Sequence, residues 1–329
     1  MDLSSVLRYA IEFLSVLAFY LVPFCGAFQL GVYILYKLLF TPLWPLVPLY
    51  LGWTFLFDLN TPKQGGRRAA SFMKNLPLFK FIRDYYSMTL EKTADLDPSR
   101  NYIFGYHPHG LIAIGAVVGF QTEALQFNQK YPGITSHMSV LSCLLKAILY
   151  RDILMSLGIV EVSRDSLEHI LTAMGPGQSV VIIVGGGAEV AETGYQDFYC
   201  LTMKRRKGFI KLALQTGSDL VPVFGFGQNN MCTQLGGPGS WYWRAQHWLY
   251  DKTRQYGFPI TCCCCLPFVF PWRTPINIVV GNPIRVSKTP NPTQDQIDEL
   301  QATYIDKLQE LFNTYKVKYN LQHSKLMLI

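Results

Sequence analysis

Ser179-Val-Val-Ile-Ile-Val184 is the stretch on which the fold turns. Every residue after the serine is apolar and β-branched. A run of this kind, without polar alternation, is a strand covered on both faces, as the inner strands of a parallel sheet are. It ends in Gly185-Gly-Gly187. Working outward, Asn101-Tyr-Ile-Phe-Gly-Tyr106, Gly158-Ile-Val-Glu-Val162, Asp219-Leu-Val-Pro-Val-Phe224 and Ile276-Asn-Ile-Val-Val280 read as further strands. Helical stretches fall between them, over Ser166–Met174 and Lys207–Thr216. This alternation predicts an α/β fold, a largely parallel sheet with flanking helices. The tail is a helix. Thr293 and Gln296 form a capping box, and Asp295, Asp298 and Glu299 sit in the first turn. Ile297, Leu300, Tyr304, Leu308, Leu311 and Tyr315 make one apolar stripe, and Lys316 and Lys318 fall in the last turn.

Apolar residues make up 50% of the 329 and charged residues 16%, against about 25% charged in an average soluble domain. That excludes intrinsic disorder. The net charge of +7 suits nucleic acid, an anionic membrane face or a phosphate-bearing substrate. Phe13 to Tyr36 holds 24 residues without charge, and Leu38 to Phe57 another 20. A bilayer core needs about 20 apolar residues per helix, so two spans are expected. Arg8 precedes them, and Lys63, Arg67 and Arg68 follow, so both flanks are expected in the cytosol and the pair forms a transmembrane hairpin. Pro42, Pro45 and Pro48 crowd the second run, which is therefore kinked or re-entrant. The expected division is a membrane hairpin over 1–62 and a cytosol-facing domain over 63–329. Residues 1–62 carry two cations and three anions, so the positive charge belongs to the remainder. There it faces headgroups or an anionic substrate. No nucleic-acid motif is present. Of the eight Cys, four are consecutive, Cys262 to Cys265, and neighbouring cysteines pair poorly. Reduced thiols are expected. Gln255 to Trp272, uncharged and holding three prolines, reads as a segment dipping into the interface or plainly buried.

His107-Pro-His109-Gly110 follows the 101–106 strand directly. Sites in open α/β sheets lie at the carboxyl ends of strands, where a histidine can act as a general base. The alternative is a pair of hydrogen-bonded structural histidines. No third ligand at metal spacing accompanies them, so no metal is expected. Gly185, Gly186 and Gly187 leave backbone N–H groups free to surround an oxyanion, and Gly110 lets a substrate approach. Glu189 can orient a histidine or hold a substrate group; Glu123 is a lesser carboxylate candidate. Lys204, Arg205, Arg206 and Lys207 sit before a helix, where they suit phosphates or form a solvated face.

These motifs in this order resemble the type-2 diacylglycerol acyltransferase family, which also holds the monoacylglycerol and wax-alcohol acyltransferases. The resemblance runs from about Leu43 to Lys318. It is carried by Asn101 to Gly110, Tyr131-Pro-Gly-Ile134 with His137, Arg151-Asp152, Val162-Ser-Arg164, Val184-Gly-Gly-Gly-Ala-Glu189, Arg206-Lys-Gly-Phe209, Leu220-Val-Pro-Val223 and Val280-Gly-Asn-Pro283. The chain departs from the family pattern at Tyr85-Tyr86-Ser87, Ser136, Val190 and Gln228, which bears on acceptor choice. The resemblance implies transfer of a fatty acyl group from acyl-CoA, a co-substrate and not a cofactor, to diacylglycerol. Monoacylglycerol or a long-chain alcohol is the alternative acceptor. A non-catalytic lipid-binding or droplet protein is the rival from another class. The resemblance also implies the endoplasmic reticulum membrane and lipid droplets. Glycerolipid acyltransferases more broadly place Asp five residues after the histidine. Here Ile114 follows His109 at that distance and Ile112 follows His107, so Glu189 is expected to supply the carboxylate. His109 is the expected base and His107 its packing partner. A homo-oligomer is compatible with the sequence.

Overall fold

The computed structural model describes residues 3–24, 27–66, 71–190, 192–193, 198–234, 239–253, 261–262 and 271–329. Cys263 to Cys265, Arg67, Arg68 and most of the 255–272 segment lie outside them. Eleven strands are present among the described residues. They are β1 (Thr89–Lys92), β2 (Tyr102–His107), β3 (Thr135–Val140), β4 (Val160–Glu161), β5 (Gln178–Ile183), β6 (Phe198–Leu201), β7 (Asp219–Phe226), β8 (Thr233–Gln234), β9 (Thr261–Cys262), β10 (Asn277–Val280) and β11 (Lys325–Leu328). Seven form one sheet in the order β1-β10-β7-β2-β5-β3-β4. Every pairing in it is parallel except β10 with β7. The α/β expectation therefore holds, with its five expected strands at β2, β4, β5, β7 and β10. β3 is an addition. Its Thr-Ser-His-Met-Ser-Val sequence lacks the apolar run that marks the others, yet it pairs in register with β5.

Side chains of β2 alternate across the sheet, as the period of two requires. Tyr102, Phe104 and Tyr106 enter one core layer with the helices Pro77–Tyr85 and Ile114–Phe120. Ile103 enters the other layer, with the helices Arg164–Ala173, Gly208–Thr216 and Gln294–Tyr315. Gly105 and His107 share the Ile103 side. A Cβ on Gly105 would lie 2.0 Å from the Tyr304 hydroxyl; glycine is what lets the C-terminal helix approach the central strand. That helix carries the expected capping box. It ends at Tyr315 with Lys316 as its cap, one residue before the expected last turn reaches the lysines.

The N-terminal region differs from two uninterrupted runs. Its helices are Leu3–Phe24, Ala27–Leu38 and Leu46–Leu56. Among the described residues no helix is long and apolar enough to cross a membrane. Pro42 and Pro45 lie in the turn between the second and third helices, where they cannot donate to a continuing ladder. Leu3–Phe24 packs into the core: Val16 and Tyr20 are buried, and the Tyr20 hydroxyl faces Met231 Sδ at 3.6 Å. Buried Glu12 pairs with Arg8 and Arg273, and Arg8 reaches Asp84. The helix Leu46–Leu56 is tied to the domain through the Tyr50 hydroxyl, which donates to Asp152 at 2.5 Å, and a buried Arg151–Asp58 pair follows it. Cys143 and Cys200 are free thiols.

Candidate active site

A cavity of about 890 Å³ crosses the carboxyl ends of the parallel strands. Its wall is mostly apolar, with Met138, Val140, Leu144, Leu154, Leu157 and Ile183 among the lining residues. His109, Gly186 and Gly187 line it at the strand ends. Arg164, Arg205, Arg206 and Lys211 line its cationic end.

The two histidines part company. His109 Nδ1 lies 2.9 Å from the Gly110 carbonyl. A carbonyl only accepts, so Nδ1 carries the proton and Nε2 of the neutral ring holds the lone pair. Burial holds the His109 pKa below the usual imidazole value. His107 is wholly buried, does not line the cavity, and meets the Tyr304 hydroxyl at 3.1 Å through Nε2. Tyr304 donates onward to the Gly105 carbonyl at 3.1 Å, so His107 Nε2–H is the donor and Nδ1 remains without a partner. Burial pushes the His107 pKa down to about 3. His107 is thus a neutral core group at ordinary pH.

Glu189 hydrogen-bonds backbone and not the ring of either histidine. Its carboxylate accepts the backbone N–H of His109 at 3.0 Å and that of Thr202 at 2.9 Å. Burial raises its pKa to about 7, against the opposing pull of those N–H groups and Arg206. It therefore grips the chain at His109 and leaves the imidazole to Gly110. The glycines divide as well. Gly185 makes room: a Cβ there would sit 1.8 Å from the Glu189 carboxyl carbon. The Gly186 N–H is engaged by the Ile183 carbonyl at 3.2 Å. Gly187 opens a short helix on the cavity wall. Gly110 lies against Gln228. Fully buried Gln228 accepts from Tyr106 and Gly115 and donates to the Ile112 carbonyl, so this departure from the family pattern is a structural hub under the His109 loop.

Of the four clustered cations, only Arg205 and Arg206 line the cavity, and Arg206 donates to the Gly185 carbonyl at 3.2 Å. Lys207 is paired with Asp298 at 2.5 Å, and Lys204 does not line the cavity. Arg164 and Lys211 replace them. Sequence reading missed both because one opens a helix after β4 and the other sits inside the helix Gly208–Thr216. Their shared direction appears only once both helices cover the same sheet face. Glu123 pairs with Asn128 away from the cavity.

Fold and cavity together define an α/β protein with a mostly apolar cavity at its strand ends, lined there by His109 and at its cationic end by Arg164, Arg205, Arg206 and Lys211. The chain belongs to the diacylglycerol acyltransferase family, whose model matches residues 36–329. Diacylglycerol O-acyltransferase 2 of Xenopus tropicalis is 43% identical over 296 residues, 87% of this chain and 80% of that protein. The human protein of the same name is 37% identical over 303 residues, 87% of this chain and 74% of its own length. 2-acylglycerol O-acyltransferase 1 of Bos taurus is 41% identical over 290 residues, 87% of this chain and 85% of its own length. Among solved structures, the 1-acyl-sn-glycerophosphate acyltransferase PlsC of Thermotoga maritima aligns over 92% of this chain and 98% of its own, with a TM-score of 0.39 and 15% identity.

Proposed function

We propose that this protein transfers a fatty acyl group from acyl-CoA to the hydroxyl of diacylglycerol, forming triacylglycerol, with His109 as the general base. The observation that carries the base assignment is the His109 ring in the cavity, with its Nδ1 proton committed to Gly110 and its Nε2 lone pair available. Nε2 takes the proton of the acceptor hydroxyl as its oxygen attacks the thioester carbon. The oxyanion that forms lies against the glycine turn, where the Gly187 N–H is the donor we assign. Collapse breaks the C–S bond, and the imidazolium returns its proton to the leaving thiolate. Glu189 serves this step by holding the His109 backbone. Family membership and the relatives named diacylglycerol O-acyltransferase 2 support diacylglycerol as acceptor, with monoacylglycerol the second reading because a 2-acylglycerol acyltransferase is 41% identical. Microsomal or purified protein, given radiolabelled acyl-CoA and a panel of diacylglycerol, monoacylglycerol and long-chain alcohol, is expected to label triacylglycerol foremost. Absence of any ester would overturn the reading.

The cationic end suits the phosphates of CoA. Neutralising Arg164, Arg205, Arg206 or Lys211 is expected to raise KM for acyl-CoA about tenfold for each charge-assisted hydrogen bond removed, with little change in acceptor KM. Lys207→Gln, which removes a partner of Asp298, is expected to leave it unchanged. An unchanged acyl-CoA KM in folded variants would mean that the four side chains are only a solvated face.

Residues 1–62 form the membrane-facing unit and 63–329 the acyltransferase domain in this reading, at the endoplasmic reticulum and lipid droplets. The support is apolar surface left outside the core: Phe40 and Leu56 are 72% and 76% exposed, and Leu49, Trp53 and Phe57 are exposed beside them. At ~1.5 Å per residue, the helices Ala27–Leu38 and Leu46–Leu56 are each shorter than the ~30 Å hydrocarbon core. We place them as a re-entrant hairpin with both ends in the cytosol. The 144–156 segment that holds this hairpin also contributes Leu144 and Leu154 to the cavity wall, so an acceptor dissolved in the leaflet has a short path to His109. In sealed microsomes, a cysteine-reactive probe that cannot cross the bilayer is expected to miss a tag at the Phe40–Trp44 turn from the lumenal side. Lumenal labelling would establish full spans.

A further inference from the structure

The helix Leu3–Phe24 precedes the family-matched segment, which begins at residue 36, yet it contributes one side chain, Phe19, to the cavity wall. The helix is built in on that side. Val16 and Tyr20 are buried, the Tyr20 ring stands edge-on to Phe19 at 6.0 Å, and the Tyr86 hydroxyl meets that of Tyr20 at 3.4 Å. Phe19 itself is partly buried and packs against the same core cluster.

Its position relative to the cations follows from the two core layers. Phe19 packs on the layer containing Ile114 and Met138. Arg164 and Lys211 stand on helices of the opposite layer. Residues of both layers line the cavity, and so does His109, which follows the central strand β2. A molecule with phosphates at the cations and its thioester at His109 has, on the other layer, the apolar wall to which Phe19, Met138, Leu144 and Leu154 belong as a place for its alkyl chain. We propose that Phe19 is a specificity-determining residue that limits the length of the acyl chain the donor arm accepts. The proposal rests on the acyl-CoA reading of the site, and it assigns to a helix outside the family segment a part in substrate choice.

Apolar pockets discriminate by roughly 10- to 200-fold for a methylene's worth of space. Phe19→Ala and Phe19→Leu are expected to move the kcat/KM optimum toward longer acyl-CoAs, by at least ~10-fold in the ratio of long to short donors. Phe19→Trp is expected to move it toward shorter ones. Leu14→Ala removes an exposed side chain from the same helix and is expected to leave the profile unchanged. The donor series is run at a fixed acceptor, then an acceptor series at a fixed donor. Opposite shifts for the small and large substitutions, confined to the donor series, support the proposal. A shift confined to the acceptor series would place the acceptor in this arm and overturn it. A uniform loss at every length, or no change, would also overturn it, since a purely structural Phe19 has no length dependence. If the native protein forms no ester at all, the acyl-transfer reading falls. Equilibrium binding of the same acyl-CoA series to the four variants then still decides whether Phe19 bounds an alkyl arm.

Discussion

His109→Gln lowers the single-turnover rate of acyl transfer by about 10² to 10⁴, the span a positioned general base contributes, while His107→Gln acts mainly on stability. The two rings differ by two positions in sequence and by their whole surroundings. His109 offers Nε2 to the cavity because Gly110 has claimed Nδ1. His107 spends Nε2 on Tyr304 and lies outside the cavity. Glutamine at 107 keeps a donor for Tyr304 in an altered place; glutamine at 109 has no lone pair able to take a proton. Leaving a buried polar partner unmatched costs roughly 1–3 kcal/mol, so the 107 variant should melt earlier yet retain most of its turnover when folded. The pH profile carries an independent signature. The base works when neutral, and burial lowers the His109 pKa. The loss of activity that comes from protonating His109 is therefore expected only on the acid side of pH 6.5, the ordinary imidazole value, apart from any change near pH 7 that comes from Glu189. If His107→Gln abolishes turnover and His109→Gln spares it, the roles are reversed; if neither matters in well-inserted protein, the motif is structural.

Gly185→Ala is the second large effect, with turnover expected to fall about 10²-fold, the scale of a misplaced catalytic group, or the protein failing to accumulate. The new methyl would occupy the place of the Glu189 carboxyl group. Displacing that group releases the N–H groups of His109 and Thr202 together, and each unpaired buried donor costs ~1–3 kcal/mol. Glu189→Gln tests the same grip without the steric push. Its amide offers one acceptor oxygen to two N–H groups, so kcat should fall while KM for acyl-CoA changes little. A matching loss in both variants identifies the grip as the cause. An active Glu189→Gln with an inactive Gly185→Ala would point to the turn itself. Stability should follow the titration of Glu189. Its folded pKa, about 7, lies above the ordinary carboxylate value of 4.5. The favourable contribution of the buried acid is fully present below 4.5 and is lost as pH rises through 7. The melting temperature of Glu189→Gln relative to the native protein should therefore rise across that window and level off above it. A difference that stays flat would mean Glu189 titrates as an exposed carboxylate.

The strand at Ser179–Val184, the capped C-terminal helix and His-Pro-His-Gly at a strand end were all legible in the chain, because each is written in neighbouring residues. β-Branched runs, a capping box and a turn residue act over a few positions. The order of motifs along the chain was legible too, and with it the family. Tertiary structure alone decided what those residues face. Tyr304, one position in an apolar stripe, reaches His107 across 197 residues. Glu189 meets the His109 backbone and not its ring, because the glycine turn after β5 folds back beside β2. Arg164 and Lys211 join Arg205 and Arg206 only because their helices cover one sheet face. Phe19, read from sequence as part of an uncharged run, becomes a cavity wall through the ion pairs of Arg8, Glu12 and Arg273 that seat its helix. Local periodicity specifies which elements form and which face each buries; strand order and the packing of distant helices select the partners, and those pairings leave no short-range trace in sequence.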